Sequence, residues 1–261
     1  MPTIERAGVS IHYDVVDGSG PPMLLLHGAM GTAETWRIEG YLDALAPDFR
    51  VITLDQRGHG LSSRPHDPEA YTLAELVADP VAVLDAVGAT SACVCGFSLG
   101  AIVAVALAGR HPDRVAGVAA LGLSSCNLGF EDVRWEPPEE DLIEQFRTEG
   151  MAWVVAMLEA EGRPSWADMI ARADPEVQIA MSRADAFDAR QPGLRLRDLA
   201  TPLVCVWGEK EPQLERARQL PLPPNARVEI IPGADHVGVV EHREMVVPLL
   251  RSLVRPVPAA Q

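Results

Sequence analysis

Short apolar runs recur along the chain, at Met23-Leu24-Leu25-Leu26, Val51-Ile52-Thr53-Leu54, Ala92-Cys93-Val94-Cys95, Val115 to Leu121, Leu203-Val204-Cys205-Val206 and Val228-Glu229-Ile230-Ile231. They lack the polar alternation of a half-exposed strand, as expected where helices cover both faces of a parallel sheet. Between them lie helix-like segments, about Glu34 to Ala46, Leu73 to Val87, Leu99 to Arg110, Gln213 to Leu220 and Val239 to Val254. Strand and helix therefore alternate as βα units should. Pro80, inside the second of these segments, predicts a kink or a restart capped by Asp79. Ahead of the first apolar run, Ile4 to Arg6 and Ser10 to Val16 flank Gly8, and the turn-rich Asp17 to Pro22 follows. That pattern predicts an antiparallel hairpin.

The alternation stops from about Leu128 to Leu199, where Trp135, Phe146, Trp153, Trp166 and Phe187 punctuate acidic, alanine-rich stretches of helical character. The strand pattern resumes after Asp198-Leu199-Ala200-Thr201-Pro202. The expected fold class is α/β: a mostly parallel, twisted sheet of about eight strands flanked by helices, with a helical lid inserted after the sixth strand. In this division residues 1–127 and 200–261 form the core and 128–199 the lid. Pro256 to Gln261 reads as a frayed tail.

Composition narrows the partners more than the fold. The 261 residues, 48% hydrophobic and 23% charged, describe an ordinary globular chain. A net charge of −15, from 22 Lys and Arg against 37 Asp and Glu, repels phosphate backbones and anionic membrane surfaces, so neither nucleic acid nor a membrane is an expected partner. The segment from Met1 to Arg6 lacks the apolar core of a signal peptide and no later run reaches the length of a membrane span, which points to a cytoplasmic protein. Cys93, Cys95, Cys126 and Cys205 do not form a disulfide pattern and read as reduced, mostly buried thiols.

The chemistry concentrates at Gly96-Phe97-Ser98-Leu99-Gly100, which follows an apolar strand and opens into the helical Ala101 to Leu107. Strand, sharp turn and helix are the context of a nucleophile elbow, with glycines where side chains would crowd the serine. The Leu99 amide, at the positive end of the helix, points to where an oxyanion would form. A second donor should come from a loop after an earlier strand. His27-Gly28-Ala29-Met30-Gly31 follows Met23 to Leu26 and offers the Ala29 amide, with His27 as a brace for the turn. His236 follows a strand and a glycine-containing turn, Ile230-Ile231-Pro232-Gly233, and precedes the last helix. From there it can reach Ser98. No cofactor is expected, and no metal, because neither a His/Cys cluster with ligand spacing nor a phosphate-cradling Gly-Lys-Ser/Thr loop occurs.

Taken in order, His27-Gly28, Asp55-Gln56-Arg57-Gly58-His59-Gly60-Leu61-Ser62, Gly96 to Gly100, Trp207-Gly208-Glu209-Lys210 and Gly233-Ala234-Asp235-His236 resemble the α/β-hydrolase superfamily, in its serine-nucleophile, esterase- or lactonase-like branch. The resemblance implies a triad running nucleophile, acid, histidine along the chain, with Asp55 to Ser62 as a structural loop braced by Arg57 and His59. It also implies an aspartate where this chain carries Glu211, a departure that leaves Glu211 as the expected acid and Asp132 or Glu131 as rivals. Asp235 abuts His236, and Glu209 is expected to point away.

The implied activity is hydrolysis of a small carboxylester or lactone through an acyl-enzyme, with Ser98, His236 and Glu211 as the triad and Ala29 and Leu99 as the oxyanion hole. Met30 and, in the insertion, Trp135, Trp153 and Met157 are candidate contacts for a partly apolar small-molecule substrate. Serine at the elbow argues against the dehalogenase and epoxide-hydrolase branches, which carry aspartate there. Carbon-carbon bond hydrolysis, acyl transfer and a non-catalytic small-molecule receptor on the same fold remain alternatives. Oligomeric state is not legible in the sequence.

Overall fold

The amino-terminal hairpin forms as expected. Strands β1 (Thr3–Arg6) and β2 (Val9–Val16) pair antiparallel across a two-residue turn in which Ala7 and Gly8 both have positive φ, 50° and 75°. Such a turn matches the right-handed twist of the strands it joins. The computed structural model describes residues 2–123, 128–133, 140–184 and 193–254. Pro137, Pro138, Trp135, Phe187, Cys126 and the tail from Pro256 lie outside the described residues.

Six further strands follow: β3 (Pro22–Leu26), β4 (Arg50–Leu54), β5 (Ala92–Phe97), β6 (Val115–Leu121), β7 (Leu203–Gly208) and β8 (Arg227–Ile231). The eight strands form one sheet in the order β1-β2-β4-β3-β5-β6-β7-β8. β3 to β8 run parallel, and β2 joins β4 antiparallel. The apolar runs lie in the middle of this sheet, with Leu24 opposite both Ile52 and Val94.

Two cores sit on its two faces. Leu24, Leu26, Ile52 and Val94 pack with the helices α3 (Leu73–Ala86) and α4 (Leu99–Arg110) on one side. Met23, Leu25, Val51, Cys95 and Phe97 pack with Trp36, Tyr41 and Val246 on the other. These strand side chains are buried, and each contributes roughly 1.5–3 kcal/mol of apolar transfer energy. Cys93, Cys95 and Cys205 are free and buried, and burial pushes their thiols up, that of Cys93 to about 11 and that of Cys205 to about 12.

Three helical expectations need correction. The segment Glu34 to Ala46 is two helices, α1 (Glu34–Ile38) and α2 (Tyr41–Leu45), parted at Gly40 with φ 69°. The Arg243 guanidinium occupies the space beside Gly40 and donates to the Glu39 carbonyl at 3.1 Å. Pro80 does not interrupt α3, which is capped by Thr72. Asp79 is instead buried between two arginines, accepting from Arg57 Nε at 2.7 Å and Arg6 Nε at 2.7 Å. The final segment is also divided, at His242, into α10 (Gly238–Glu241) and α11 (Arg243–Ser252).

Between β6 and β7 the described residues contain four α-helices, α5 (Glu140–Glu149), α6 (Ala152–Ala160), α7 (Pro164–Ile170) and α8 (Pro175–Arg183). Side chains tie this insertion to the rest of the chain. Trp166 Nε1 donates to Glu39 at 2.7 Å, Thr35 Oγ1 approaches Met169 Sδ at 3.6 Å, and His66 meets Asp174 at 2.9 Å. A short helix α9 (Leu214–Ala217) follows β7. β4 and β5 lie on opposite sides of β3, so chain direction across the sheet reverses there. In open α/β sheets ligands bind beyond the carboxyl ends of the strands at such a reversal, here β3 and β5.

Candidate active site

Ser98 sits at this end of the sheet, between the last residue of β5 and the first of α4, with φ 53° and ψ −113°. A non-glycine residue in such a conformation costs on the order of 1–3 kcal/mol and persists only where its surroundings hold it. Here the Ser98 amide donates to the Leu121 carbonyl at 2.8 Å, and the Ser98 carbonyl accepts from the amides of Ala101 and Ile102. The flanking glycines are set by crowding. A Cβ on Gly96 would fall 2.0 Å from the Gly100 carbonyl oxygen, and one on Gly100 would fall 2.1 Å from that of Leu26. Leu99 opens α4, so its amide lacks an intrahelical acceptor.

The loop after β3 abuts this turn, since a Cβ on Gly28 would lie 3.2 Å from the Ser98 Cβ. His27 is wholly buried and holds the loop. Its Nδ1 donates to the Gly28 carbonyl at 2.7 Å, its Nε2 accepts from the Gln56 amide at 3.0 Å, and the Gln56 side chain returns to the His27 carbonyl. His59 Nε2 in turn accepts from the Met30 amide at 3.1 Å, while Nδ1 donates to the Arg57 carbonyl. Burial lowers the pKa of both rings, and for His59, with His27 adding repulsion, down to about 3. Both are neutral braces, and the Met30 amide is already engaged. Arg57 is anchored by Asp79 and the Ala70 carbonyl.

His236 follows β8 on a loop that leads into α10. Both carboxylate oxygens of Glu211 approach its Nδ1, at 3.0 and 2.8 Å. Glu211 sits on the turn between β7 and α9, where its amide donates to the Gly208 carbonyl, and its side chain is buried. The rival carboxylates are occupied elsewhere. Asp132 accepts from the Leu196 amide and Arg197, and Glu131 from Arg195 and the Gly193 amide. Glu209 accepts from the Gly233 amide at 2.8 Å, and Asp235 is held by Arg163 and the Gly238 amide. With Nδ1 facing a carboxylate, the other ring nitrogen of His236 is left to exchange protons. The ring lies 5.0 Å from that of Phe97, the residue before Ser98. A serine turn, a carboxylate-oriented imidazole and a helix-start amide are the parts from which attack on an electrophilic carbonyl can be built.

The sequence profile of the α/β-hydrolase fold matches residues 21–153, about half of the chain. The chain belongs to the α/β-hydrolase family. Among the relatives of this α/β hydrolase, epoxide hydrolase B of Mycobacterium tuberculosis is 43% identical over 114 residues, covering 43% of this chain and 32% of that protein. The chain therefore spans about a third of the length of that relative. The putative carbamate hydrolase RutD of Azorhizobium caulinodans is 30% identical over 215 residues, 77% of each chain. Among solved structures, Est816, an N-acyl homoserine lactone degrading enzyme, is 28% identical and superposes with a TM-score of 0.77, covering 97% of this chain and 100% of that one.

The expected substrate contacts fall in different places. Met30 has φ 64° and its amide is held by His59 Nε2. Trp153 packs against Phe146, with ring centroids 5.6 Å apart, inside the insertion. Met157 is 43% exposed and faces solvent, because α6 turns Val154 and Leu158 inward instead. Three further residues lie around the site. Trp166 meets the Phe97 ring edge-on at 6.1 Å, Arg163 grips Asp235, and Gly122 leaves space for the imidazole, since a Cβ there would lie 2.9 Å from His236 Cε1. Trp166 stood out in the sequence only as one of the aromatics of the insertion, Gly122 only as a glycine directly after an apolar strand, and Arg163 carried no local signal. Among the described residues, no three His, Cys, Asp or Glu side chains gather as metal ligands, and no helix is long and apolar enough to cross a membrane.

Proposed function

We propose that this chain is a serine hydrolase that cleaves a small carboxylester or lactone through an acyl-enzyme. The observation that carries the reading is the contact of both Glu211 oxygens with His236 Nδ1, at the same carboxyl end of the sheet as the strained Ser98 turn. Glu211 holds the imidazole as the tautomer whose Nε2 accepts a proton and stabilises the imidazolium once formed. His236 takes the Ser98 proton as the alkoxide attacks the carbonyl carbon. The amides of Leu99 and Ala29 stabilise the oxyanion, and the departing alkoxide is protonated by His236. Water, deprotonated by the same nitrogen, then releases the acid and restores Ser98.

Similarity to an epoxide hydrolase does not extend to this chemistry. A serine alkoxide opening an epoxide would end as an alkyl ether, which the same water cannot cleave, whereas an acyl ester on serine turns over. The lactone half of the proposal draws on the likeness to Est816. In this reading residues 128–199 act as a lid over residues 1–127 and 200–261, with Trp166 against Phe97 forming one wall and Met30 another. No cofactor takes part.

The test is turnover of p-nitrophenyl butyrate and of a lactone panel by purified protein. The expected result is hydrolysis that Ser98→Ala abolishes without loss of folding, and a phosphonate adduct on Ser98. Undiminished turnover by Ser98→Ala would overturn the assignment.

A further inference from the structure

His236 is held from two sides. On one side, three consecutive residues after β7 each take one position of its loop. The Glu209 carboxylate accepts from the Gly233 amide, the Lys210 amide donates to the Ala234 carbonyl at 2.8 Å, and the Glu211 carboxylate faces the ring. On the other side stands Arg163, a residue of the insertion. Its backbone is fixed where α6 passes into α7. The amide donates to the Leu158 carbonyl at 2.8 Å, the carbonyl accepts from the Ala167 amide at 3.0 Å, and Pro164 opens the helix.

The Arg163 side chain, 13% exposed, brackets the segment that carries His236. Nη2 reaches both oxygens of Asp235, one residue before His236, and Oε2 of Glu241, five residues after it, at 3.1 Å. Nε takes the other oxygen of Glu241 at 2.8 Å, and Nη1 pairs with Glu161. Guanidinium donors are fixed in one plane, so a single side chain sets the separation of the two carboxylates and with it the span that bears the imidazole.

α7 is in turn seated on the core by contacts that do not involve the imidazole. Trp166, one helical turn beyond Arg163, donates through Nε1 to Glu39 at 2.7 Å, and Thr35 Oγ1 approaches Met169 Sδ. Glu39 is half-buried at the end of α1. Residues three apart share one face of a helix, so the seat of Trp166 fixes the height at which Arg163 is presented.

We propose that α7 is a strap that aligns His236, with Glu39 and Arg163 as its positioning residues. Seated on Glu39, the helix presents Arg163 to Asp235 and Glu241, and these keep the imidazole in line with Ser98. Neither Glu39 nor Arg163 acts on the substrate. The inference deepens the hydrolase reading and rests on it. Proton transfer is efficient only while the insertion is seated, and an insertion displaced to admit substrate leaves the base out of line until it returns.

The test combines hydrogen–deuterium exchange of the substrate-free full chain with steady-state hydrolysis of p-nitrophenyl butyrate. Glu39→Leu removes the acceptor of the Trp166 indole and leaves Arg163, Asp235 and His236 unchanged. Exchange at residues 232–241 is expected to rise about fivefold or more while β3 to β6 keep wild-type protection. kcat is expected to fall about threefold or more with KM within about twofold. Glu39→Gln, which restores an acceptor, should return both readouts to within about twofold of wild type. The Glu39→Leu, Arg163→Ala double variant should match Arg163→Ala in kcat to within about twofold, because both changes release one strap. Should Glu39→Leu fail to fold, Trp166→Phe removes the donor, keeps an aromatic ring against Phe97 and decides in its place. Wild-type exchange at 232–241, a change in KM alone, Glu39→Gln as impaired as Glu39→Leu, or multiplying effects in the double variant would each overturn the proposal. Exchange is read without substrate, so failure of the strap is separable from failure of the hydrolase reading, which Ser98→Ala decides.

Discussion

One guanidinium nitrogen of Arg163 donates to both carboxylate oxygens of Asp235, at 2.8 and 3.0 Å, tying the residue before His236 to the start of α7. Arg163 also pairs with Glu241 through Nε, at 2.8 Å. Burial works to raise the pKa of Asp235, but the hydrogen bonds from Arg163 and the Gly238 amide outweigh it and hold the carboxyl below its ordinary range. A depressed carboxylate contributes stability above its unfolded pKa and loses it as pH falls through the folded value, so this anchor weakens only below about pH 4. Arg163→Ala is expected to lower stability by about 1 kcal/mol or less, since Asp235 is 38% exposed and solvent screens the pair. It should lower kcat/KM several-fold by freeing the His236 loop. Thermal unfolding beside steady-state kinetics checks the split.

Glu211→Gln keeps the size of the side chain and removes its charge. Loss of the carboxylate that orients and stabilises His236 should reduce kcat by about 10²–10⁴, with folding intact. A reduction of less than threefold would move the acid elsewhere. Glu211→Asp, one methylene shorter, should fall between the two, because the carboxylate remains but must reach farther to Nδ1.

Gly122 has φ 59° and faces the imidazole, so Gly122→Ala adds both backbone strain and a methyl group 3.1 Å from His236 Nδ1. The expected outcome is loss of tenfold or more in kcat with a stability cost of about 1–3 kcal/mol. Measuring kcat together with the melting temperature distinguishes displacement of the ring from general unfolding.

His59 and His27 titrate against folding. Burial lowers both pKa values, that of His59 to about 3, below the usual 6.5. Between those two values the unfolded chain binds the proton and the native chain does not, so stability falls as pH drops from 6.5 toward 3. The slope approaches about 1.4 kcal/mol per pH unit for each such histidine. Denaturant midpoints measured from pH 7 to pH 4 should show this decline, and His59→Asn should shallow it.

Much of the site was legible because its constraints are local. The elbow requires a strand, a serine and two glycines within a few residues, and the clash distances at Gly96 and Gly100 are those of adjacent backbone. The glycine-containing turn carrying His236 and the β3 loop carrying Ala29 were likewise readable as loops after strands. The misread segments failed where a distant partner intervened. Asp79 has the form of a helix cap but is drawn inward by Arg6 and Arg57. The helix expected from Glu34 stops at Gly40, beside Arg243 from the far end of the chain. Met157 has a side chain suited to an apolar pocket, yet the helix phase turns it to solvent.

By itself the sequence determined the alternation of buried strands and helices, the position of the strained serine and the loops that surround it, since sterics and periodicity act between near neighbours. Which carboxylate faces the imidazole was decided only by the tertiary structure. Glu131, Asp132, Glu209, Glu211 and Asp235 are equivalent as acids. What separates them is that Arg195, Arg197, the Gly233 amide and Arg163 engage four, while Glu211 meets His236. Charge pairing follows distance in space, and that distance exists only after the chain has folded.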